Sequence, residues 1–400
     1  MRVLFSAWAG GGHYAPLVPA GWALRAAGHE VLVACHPSHA PTVTASGLPA
    51  APVGPDIDMF GLFRAKRRGQ EWRPWQPGGG RTDPPSFRRG YAGMSDTAAE
   101  VAHAVADDLL AFARSWRPDL VIFEPASFAG PLVARVLGIP SARMLWAPDF
   151  TAPVSGFPAT AGSLAERFGV AELGVLGDLT LDPCPPGLQV TDDLPRQPIR
   201  YIPYNGPAVL PGWLREPPAR RRIAVTWGTS LTGMGGPGRM AHVPRVVRAL
   251  AATDAEIIVA VLDSQRELFT DLPPNVRHVG PVPLHLLLPT CDAIIHQGGG
   301  GTMMTAMTCG LPQLIIPSIP DQAFNARQLA ATGAGHLLPA GEDITETDVA
   351  RAAQRLLHDT ACATAARDLA ARALALPAPA DIIPVLTRLA AGTTPAPAAS

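Results

Sequence analysis

Ile295-His-Gln-Gly-Gly-Gly-Gly-Thr302 stands between an apolar strand pattern that ends at residue 296 and a helical pattern that begins near residue 301. A turn of this kind presents backbone N–H groups and the positive end of a helix dipole, and its glycines let an anion approach closely. The spacing is neither G-x-G-x-x-G nor a P-loop with its lysine. The segment therefore predicts a diphosphate site, with a merely tight glycine-rich connection as the structural alternative.

The same alternation of strands and helices extends in both directions from this turn. Strand patterns of the second half cover residues 222–228, 256–261, 276–279, 293–296 and 313–316, and helical patterns begin near residues 301, 321 and 345. The first half has strand patterns at 3–7, 30–35, 120–123 and 141–146 and helical patterns at 14–27, 96–116 and 128–137. Strands that alternate with helices predict parallel sheets flanked by helices, an α/β fold.

The chain is long enough for two domains, because 400 residues exceed what one hydrophobic core usually supports. A proline-rich stretch at 203–218 separates the two halves. We predict an N-terminal Rossmann-like domain at 1–205, a linker at 206–221, a C-terminal Rossmann-like domain at 222–378, and a C-terminal helix with a frayed tail at 379–400. Two such doubly wound domains leave an inter-domain cleft at the carboxyl ends of their strands, where ligands bind.

The composition excludes several classes of function. A formal net charge of −1 offers no electrostatic footprint for nucleic acid or a membrane surface. The sequence has no apolar run of transmembrane length, and it enters a strand pattern at once without a secretory signal, so we expect a soluble, cytoplasmic protein. The cysteines form no C-x-x-C pair, which argues against a disulfide framework or a zinc site. They are Cys35, Cys184, Cys291, Cys309 and Cys362.

Between residues 56 and 93 the periodicity fails, and the segment is rich in glycine, proline, arginine and large apolar side chains. Irregular loops of this length are usually either functional or disordered. The aromatic content favours a mobile wall of a binding cleft over plain disorder. The side chains predicted to line this cleft are Phe60, Trp72, Trp75 and Phe87, together with Trp146 at the end of a strand.

The glycine-rich turn resembles the H-x-G-G-x-G-T donor signature of family 1 glycosyltransferases, especially the actinobacterial enzymes that attach deoxysugars to antibiotic aglycones. Arg222-Ile-Ala-Val-Thr-Trp-Gly-Thr-Ser230 resembles that family's strand and donor-phosphate turn. Val282-Pro-Leu-His285 resembles its base-contacting segment, and Pro320-Asp-Gln-Ala-Phe-Asn325 its sugar-contacting segment. The similarity spans nearly the whole chain and implies a GT-B fold, which consists of two Rossmann-like domains facing one cleft.

The resemblance implies a set of donor-binding residues. They are Gly11, Gly12, Thr229, Ser230, Val282, His296, Gln297, Gly298, Gly299, Gly301, Thr302, Asp321 and Gln322. Many members carry two adjacent histidines where this chain has His296 followed by Gln297, and Gln297 holds the position whose histidine contacts the donor phosphate. A glutamine amide donates a hydrogen bond but cannot become cationic. His296 is then either a donor contact or a core histidine at a strand end.

A second motif, Ala9-Gly-Gly-Gly-His-Tyr-Ala-Pro16, resembles the family's G-H-x-x-P motif, whose histidine is the general base. The acceptor hydroxyl has to lose its proton as it attacks the anomeric carbon, and an imidazole suits that task. The resemblance thus makes His13 the base and Glu124, after the strand 120–123, its orienting partner; the alternative for Glu124 is an exposed acid that caps a helix. Asp321 completes the predicted catalytic set, with a helix N-cap role also open to it.

The implied reaction is an inverting transfer of a hexose or deoxyhexose from a TDP- or UDP-sugar to a hydrophobic small molecule such as a polyketide. Neither a cofactor nor a metal is expected, because backbone N–H groups and a helix dipole stabilise the leaving diphosphate. Asp56 and Asp58 form a D-x-D pair, the metal-holding pattern of the other glycosyltransferase architecture, GT-A, and are a weaker alternative. Dependence on a homodimer or on an auxiliary protein is left open.

Several other functions compete with this reading. A nucleotide-sugar epimerase shares the GT-B architecture and the diphosphate site. An NAD-dependent oxidoreductase built on Gly10 to Gly12 lacks G-x-G-x-x-G, and residue 35, where an acid is expected, is Cys35. A pyridoxal-phosphate phosphorylase needs a Schiff-base lysine, and Lys66 lies in the irregular segment. A catalytically idle accessory homologue stays open because of Gln297.

Overall fold

The computed structural model describes residues 1–8, 10–66, 85–151, 159–190, 194–229, 240, 242–339 and 344–393. The first half forms one parallel sheet from β1 (Arg2–Ser6), β2 (Glu30–Cys35), β3 (Ala50–Pro52), β4 (Leu120–Phe123), β5 (Ser141–Met144), β6 (Leu179–Asp182) and β7 (Arg196–Pro198). The second half forms another from β8 (Arg222–Thr226), β9 (Glu256–Ala260), β10 (Val276–Gly280), β11 (Ala293–His296), β12 (Gln313–Ile315) and β13 (Gly335–Leu337).

The helices connect these strands and cover both sheets. In the first half they are α1 (Gly11–Tyr14), α2 (Val18–Ala26), α3 (Ala40–Ala45), α4 (Met59–Lys66), α5 (Pro85–Trp116), α6 (Ala129–Leu137) and α7 (Ala159–Arg167). In the second half they are α8 (Val243–Ala249), α9 (Leu284–Leu287), α10 (Gly300–Thr308), α11 (Pro320–Ala331), α12 (Glu346–His358), α13 (Thr360–Leu374) and α14 (Ile383–Ala390). The central strands β4 and β11 are buried at every residue, as parallel strands with helices on both faces must be.

Both sheets reverse their strand order at the same place. The orders are β3-β2-β1-β4-β5-β6-β7 and β10-β9-β8-β11-β12-β13, so the reversal lies between β1 and β4 in one sheet and between β8 and β11 in the other. Connections leave in opposite directions at such a point and open a crevice beyond the carboxyl ends of the strands. The residues after these four strands are therefore the ones that the fold places at a binding site.

A hydrophobic cluster joins the two halves. Ala147 and Tyr201 from the first half pack with Met303, Met304 and Met307 of α10. The last helix, α14, returns to the first half and adds its apolar side chains to the core beneath the first sheet. The helix that follows the glycine-rich turn thus carries part of the contact between the halves.

The fold class is confirmed: the structure has two parallel α/β units of the Rossmann type, the architecture that the GT-B resemblance implies. The strand predictions at 30–35, 120–123 and 293–296 match β2, β4 and β11 at both ends. The short strands β3, β6, β7 and β13 were not predicted, because three- or four-residue strands leave little periodicity to detect. The domain and linker boundaries stay a prediction.

The expectation of an irregular segment at 56–93 is wrong for the part that the structure describes. Residues 59–66 form α4, and α5 begins at residue 85 rather than at 96. Asp58 explains the start of α4, because its carboxylate accepts a hydrogen bond of 2.8 Å from the Gly61 N–H, as an N-cap does. Residues 67–84 lie outside the described part.

The cysteines are all free; three are buried and Cys291 and Cys309 are partly exposed. Within the described ranges, no helix combines the length and the apolar character that crossing a bilayer requires.

Candidate active site

His13 lies in the first helical turn after β1. Gly10 caps this turn, since its carbonyl accepts hydrogen bonds of 3.0 Å from the N–H groups of both His13 and Tyr14. Gly11 and Gly12 are exposed, and a side chain added at either would meet no atom within 4 Å. The backbone between β1 and His13 is therefore open on the side away from the protein, where a ligand has room to approach.

Glu124, the residue after β4, holds the imidazole of His13. The Nδ1 atom of His13 lies 2.9 Å from Oε2 of Glu124, whose side chain is only 1% exposed. The carboxylate also accepts hydrogen bonds from the N–H of Trp8, at 3.1 Å, and from the N–H of Ala126, at 2.9 Å. Because the carboxylate can only accept, Nδ1 carries the proton and Nε2 is the ring nitrogen that is able to receive another.

Two indole rings border His13. Trp8 stacks on the imidazole with ring centroids 5.7 Å apart, and Trp146 meets it edge-on at 4.6 Å. With 29% of its side chain exposed, the ring still reaches solvent. Glu124 and the two tryptophans thus fix the plane of the ring and leave one edge accessible.

His296, at the end of β11, lies beneath the glycine-rich turn and is fully buried. Its Nε2 lies 2.9 Å from Oε1 of Gln313, and its Nδ1 accepts a hydrogen bond of 3.0 Å from the N–H of Gly298. Burial lowers the pKa of this imidazole to about 4, so the ring is neutral at pH 7. Both ring nitrogens are occupied inside the protein, which favours the alternative of a core histidine that supports the turn, and the donor contact of His296 stays a prediction.

The turn itself depends on its glycines. Gly298 has a φ of +94°, and a Cβ there would lie 2.8 Å from the carbonyl oxygen of Gln322. Asn325 of α11 donates from Nδ2 to the Gly298 carbonyl at 2.9 Å, so the next helix helps to hold the turn. Gly299 occupies the N-cap of α10 without any side-chain cap, which leaves the N–H groups of that helix end to face a ligand.

Gln297 is packed into the same turn and is 6% exposed. Its Nε2 lies so close to Gly228, beyond the end of β8, that a Cβ on that glycine would come within 2.5 Å of it. The Oε1 atom is buried and has no hydrogen-bond partner within the described part of the chain. Gln297 therefore bridges the turns after β8 and β11 with an amide that its surroundings only partly satisfy.

The other predicted donor residues are spread around these turns. Thr302 is half-buried in the first turn of α10, Thr229 is exposed after β8, and Val282 is buried before α9. Ser230 lies outside the described residues. Gly301 has room, because the nearest atom to a Cβ there would be the Tyr201 hydroxyl oxygen, at 3.8 Å.

Asp321 and Gln322 begin α11 on the side of the second half that faces His13. Burial raises the pKa of the Asp321 carboxyl, while hydrogen bonds from the start of the helix and the charge of a protonated His13 lower it to a smaller extent. The interaction with His13 shows that the predicted catalytic groups of the two halves lie near each other. Gln322 is 4% exposed, and its Oε1 accepts a hydrogen bond of 2.9 Å from the N–H of Ser318.

The residues predicted to contact an acceptor have different outcomes. Phe60 is half-buried on α4, and Trp146 lies against His13 rather than in an open wall. Trp72, Trp75 and the side chain of Phe87 lie outside what the structure describes.

The structure shows an apolar pocket that sequence reasoning missed. It lies at the carboxyl ends of β1, β2 and β4 and extends under α5. Trp8, Cys35, His36, Val53, Val105 and Phe128 are among its lining residues. Trp8 also stacks on His13, so the pocket is next to the imidazole. The signal that could have indicated it is the strand order, since this pocket lies at the reversal point.

The acidic pair that was weighed as a metal site has local partners. Asp56 accepts a hydrogen bond of 2.6 Å from the N–H of Ser38, and Asp58 caps α4 and forms an ion pair of 3.0 Å with Arg64. Among the described residues there is no group of three or more His, Cys, Asp or Glu side chains placed to hold a metal ion.

Comparison with known proteins identifies what this arrangement resembles. Residues 22–228 match the profile described as erythromycin biosynthesis protein CIII-like, N-terminal domain, and residues 244–389 match that of the C-terminal domain. The 10-deoxymethynolide desosaminyltransferase of Streptomyces venezuelae is 40% identical, over 98% of this chain and 97% of its own length. The aklavinone 7-beta-L-rhodosaminyltransferase of Streptomyces galilaeus is 37% identical, over 98% and 96%.

Solved structures give the same answer. The spinosyn rhamnosyltransferase SpnG is 32% identical and superimposes with a TM-score of 0.82, over 97% of this chain and all of its own. The glycosyltransferase VinC in complex with dTDP is also 32% identical, with a TM-score of 0.79, over 98% of this chain and all of its own. A nucleoside diphosphate is therefore a ligand of a protein with this fold and a similar sequence.

Proposed function

Because this chain belongs to the erythromycin biosynthesis protein CIII-like family of glycosyltransferases, we propose that it transfers a deoxyhexose from a TDP-sugar to a hydroxyl group of a polyketide aglycone, with inversion and without a metal. The family establishes a glycosyltransferase that acts on natural products. The choice of TDP over UDP follows the relatives, one of which is named TDP-daunosamine transferase and another of which binds dTDP.

The observation that carries this proposal is the pair formed by His13 and Glu124. Glu124 accepts hydrogen bonds from the Nδ1–H group of His13 and from two backbone N–H groups, so its position is fixed. The acceptor hydroxyl gives its proton to Nε2 of His13 as its oxygen bonds to the anomeric carbon. The anomeric bond to the diphosphate breaks in the same step, and Glu124 stabilises the imidazolium that results.

The second half receives the leaving group. The uncapped N-terminus of α10, the glycines of the turn and the amide of Gln297 provide N–H donors and the positive end of a helix dipole. These groups stabilise the charge that develops on the departing diphosphate, which is the task a divalent cation performs in other transferases. Asp321 and Gln322 lie at the start of α11 between this turn and His13, where the donor sugar has to lie.

The acceptor enters from the first half. The apolar pocket beside Trp8 lies on this side of the His13 ring, which supports a hydrophobic acceptor. We place the reacting hydroxyl at Nε2 of His13.

Calorimetric titration with TDP, UDP and NAD, without metal, tests the donor site first. We expect TDP to bind more tightly than UDP and NAD not to bind. Thr302→Ala, in the first turn of α10, should weaken TDP binding. Thr308→Ala is the matched control, because it removes the same hydroxyl from the last turn of the same helix, where Thr308 donates to the Thr305 carbonyl. Equal loss in both variants, or no TDP binding at all, would refute the donor-site assignment.

Turnover is tested by incubating the protein with TDP-linked deoxyhexoses and macrolactone or anthracycline aglycones, the acceptor types that the relatives' names indicate. We expect a glycoside with inverted anomeric configuration, formed equally well in the presence of a metal chelator. A retained configuration, or loss of turnover with chelator, would refute the corresponding part of the proposal.

A further inference from the structure

Trp146 touches both halves of the proposed active site. It follows β5 by two residues, is half-buried, and meets the His13 ring edge-on with 4.6 Å between centroids. Its other neighbour is Gly300, the first residue of α10 in the opposite half. A Cβ on Gly300 would lie 2.9 Å from Cδ1 of Trp146 and 2.8 Å from Cβ of Ala147, both closer than real Cβ contacts. One indole is therefore wedged between the base and the diphosphate turn.

The same indole begins a line of aromatic contacts to the sugar-binding helix. Trp146 meets Phe150 with 6.2 Å between centroids, and Phe150 meets Phe324 at the same distance. Phe324 lies on α11, one turn after Asp321, and is 7% exposed. Both helices that face the donor, α10 and α11, thus contact the first half through the aromatic group to which Trp146 belongs.

The contacts of Trp146 with His13 and Gly300 limit the surface that its indole can offer to a ligand. Its ring is occupied on one side by His13 and on another by Gly300, so it is not a free wall for an aglycone. Edge-on aromatic pairs have a preferred geometry, and a displacement of one ring is transmitted to the other. Glu124 fixes the Nδ1 end of His13, whereas Trp146 limits how far the ring swings towards the donor turn.

We propose that Trp146 is a positioning residue that sets the orientation of His13 relative to the diphosphate turn, through its contact with Gly300. The proposal rests on the proposed function, in which His13 is the base and the turn binds the diphosphate. Gly300 is glycine, in this view, because only a residue without Cβ lets the indole approach the helix end closely enough to hold His13 in place.

A double-mutant cycle read by NMR tests the link without any ligand. The ring protons of His13, assigned by their absence in His13→Gln, are recorded at a pH where the imidazole is neutral. Gly300→Ala should shift these resonances, because the added methyl group displaces an indole whose ring current acts on His13. Gly301→Ala is the matched control, since the next glycine has space for a methyl group and should leave them in place.

The second half of the double-mutant cycle repeats the Gly300→Ala measurement in a Trp146→Ala background. In that background, Gly300→Ala should cause a much smaller shift, because the added methyl group then meets Ala147 but no longer displaces an indole that lies against His13. Trp146→Phe keeps an aromatic edge, should recover most of the wild-type spectrum, and replaces the alanine variant in the cycle if that variant does not fold. Trp116→Ala, which removes a half-buried tryptophan on α5, controls for the loss of an indole elsewhere.

The outcomes separate this inference from the proposed function. An equal shift from Gly300→Ala with and without Trp146, no shift in either background, or the same shift from Gly301→Ala would overturn it, whatever nucleotide the protein binds. With the substrate pair that the turnover screen identifies, Trp146→Ala should lower kcat on the order of 10²-fold, as expected for a misplaced base. The Kd for TDP should stay within about twofold, and a parallel loss of TDP binding would instead indicate a merely structural role.

Discussion

The two glycine-rich turns, after β1 and after β11, each follow a strand that borders the reversal point of its sheet, and each has one histidine. His296 is the last residue of its strand, so its side chain lies in the layer between sheet and helix and is fully buried. His13 comes seven residues after its strand, in the first turn of a helix, and its ring is partly exposed beyond the carboxyl end of β1. The position of a histidine relative to the strand end thus decides whether its ring is buried under the turn or reaches solvent.

The hydrogen-bond partners of the two histidines also differ, because one is a carboxylate and the other is an amide. Each ring is held by a side chain from the neighbouring strand: Glu124 after β4 for His13, and Gln313 at the start of β12 for His296. A carboxylate stabilises an imidazolium, whereas a neutral amide does not compensate for buried charge. Burial beside Gln313 accordingly lowers the pKa of His296 to about 4. One environment is suited to accepting a proton and the other to refusing it.

Replacing His13 should give the largest effect. His13→Gln removes the general base, and we expect kcat to fall about 10³-fold, the usual contribution of such a group. The Kd for TDP and the melting temperature should hardly change, because the ring is partly exposed and lies in the other half from the diphosphate turn. Steady-state kinetics, calorimetry and a thermal melt check the three parts. A fall of less than about tenfold in kcat would show that His13 is not the base.

Replacing His296 should act on stability instead. The folded state keeps its imidazole neutral down to about pH 4, whereas in the unfolded chain it titrates near its ordinary pKa. Below pH 6.5 the unfolded state therefore binds more protons, and the stability that the neutral ring contributes is lost as the pH falls towards 4. The loss amounts to about 3 kcal/mol in total.

Urea unfolding of wild type and His296→Gln between pH 7 and pH 4 measures this term. The difference in unfolding free energy between the two proteins should change with pH in favour of the variant as the solution becomes more acidic. His242, whose pKa burial also lowers to about 4, contributes equally to both proteins and cancels. Parallel pH profiles would contradict the buried, neutral state of His296.

Exchanging the carboxylate partner of His13 and the amide partner of His296 tests this comparison further. Glu124→Gln should lower kcat on the order of 30-fold, because the imidazolium loses its counter-charge and an amide whose oxygen accepts from His13 and the Ala126 N–H turns its NH2 group towards the Trp8 N–H. TDP binding should stay within about twofold, since the hydrogen bonds of Glu124 run to Trp8, His13 and Ala126 of the first half. Gln313→Glu is the reciprocal change, and it should leave kcat nearer to the wild-type value while it weakens the turn. An equal fall in kcat for both variants would contradict the distinction between a partner that supports catalysis, Glu124, and one that supports the turn, Gln313.

Sequence alone sufficed for the contacts that depend on position along the chain. His13 and Glu124 follow two adjacent central strands, and such strand ends meet at the reversal point of a doubly wound sheet, so their contact was predictable. His296 stayed ambiguous, because a motif match does not reveal on which side of the backbone a strand-end side chain lies. The pairing with Gln313 decides this, and it depends on the register between β11 and β12.

Contacts between the two halves were beyond sequence reasoning. Trp146 was placed in the acceptor wall because an aromatic residue at a strand end usually lines a cleft. Its actual neighbour, Gly300, belongs to the other half, and neither periodicity nor spacing indicates how two units meet. Helix α4 and the first part of α5 were missed for a different reason, since glycine, proline and arginine obscured the helical period between residues 56 and 93.

Replacing Gln297, the residue that follows His296 in the second turn, should give the smallest effect. Its Oε1 is buried without a partner in the part of the chain that the structure describes, so Gln297→Leu should change the unfolding free energy by less than about 1 kcal/mol. The Kd for TDP should rise about fivefold through the loss of one amide donor near the phosphates.

Gln297→His decides whether this position contacts the diphosphate. A glutamine does not titrate, whereas a histidine there would gain a charge below its pKa, and TDP should then bind more tightly as the pH falls from about 8 to 6. Wild type lacks that group, so the difference between the two proteins isolates residue 297. If TDP affinity had the same pH dependence in both proteins, residue 297 would lie out of reach of the phosphates, and Gly228 would be packed against a purely structural amide.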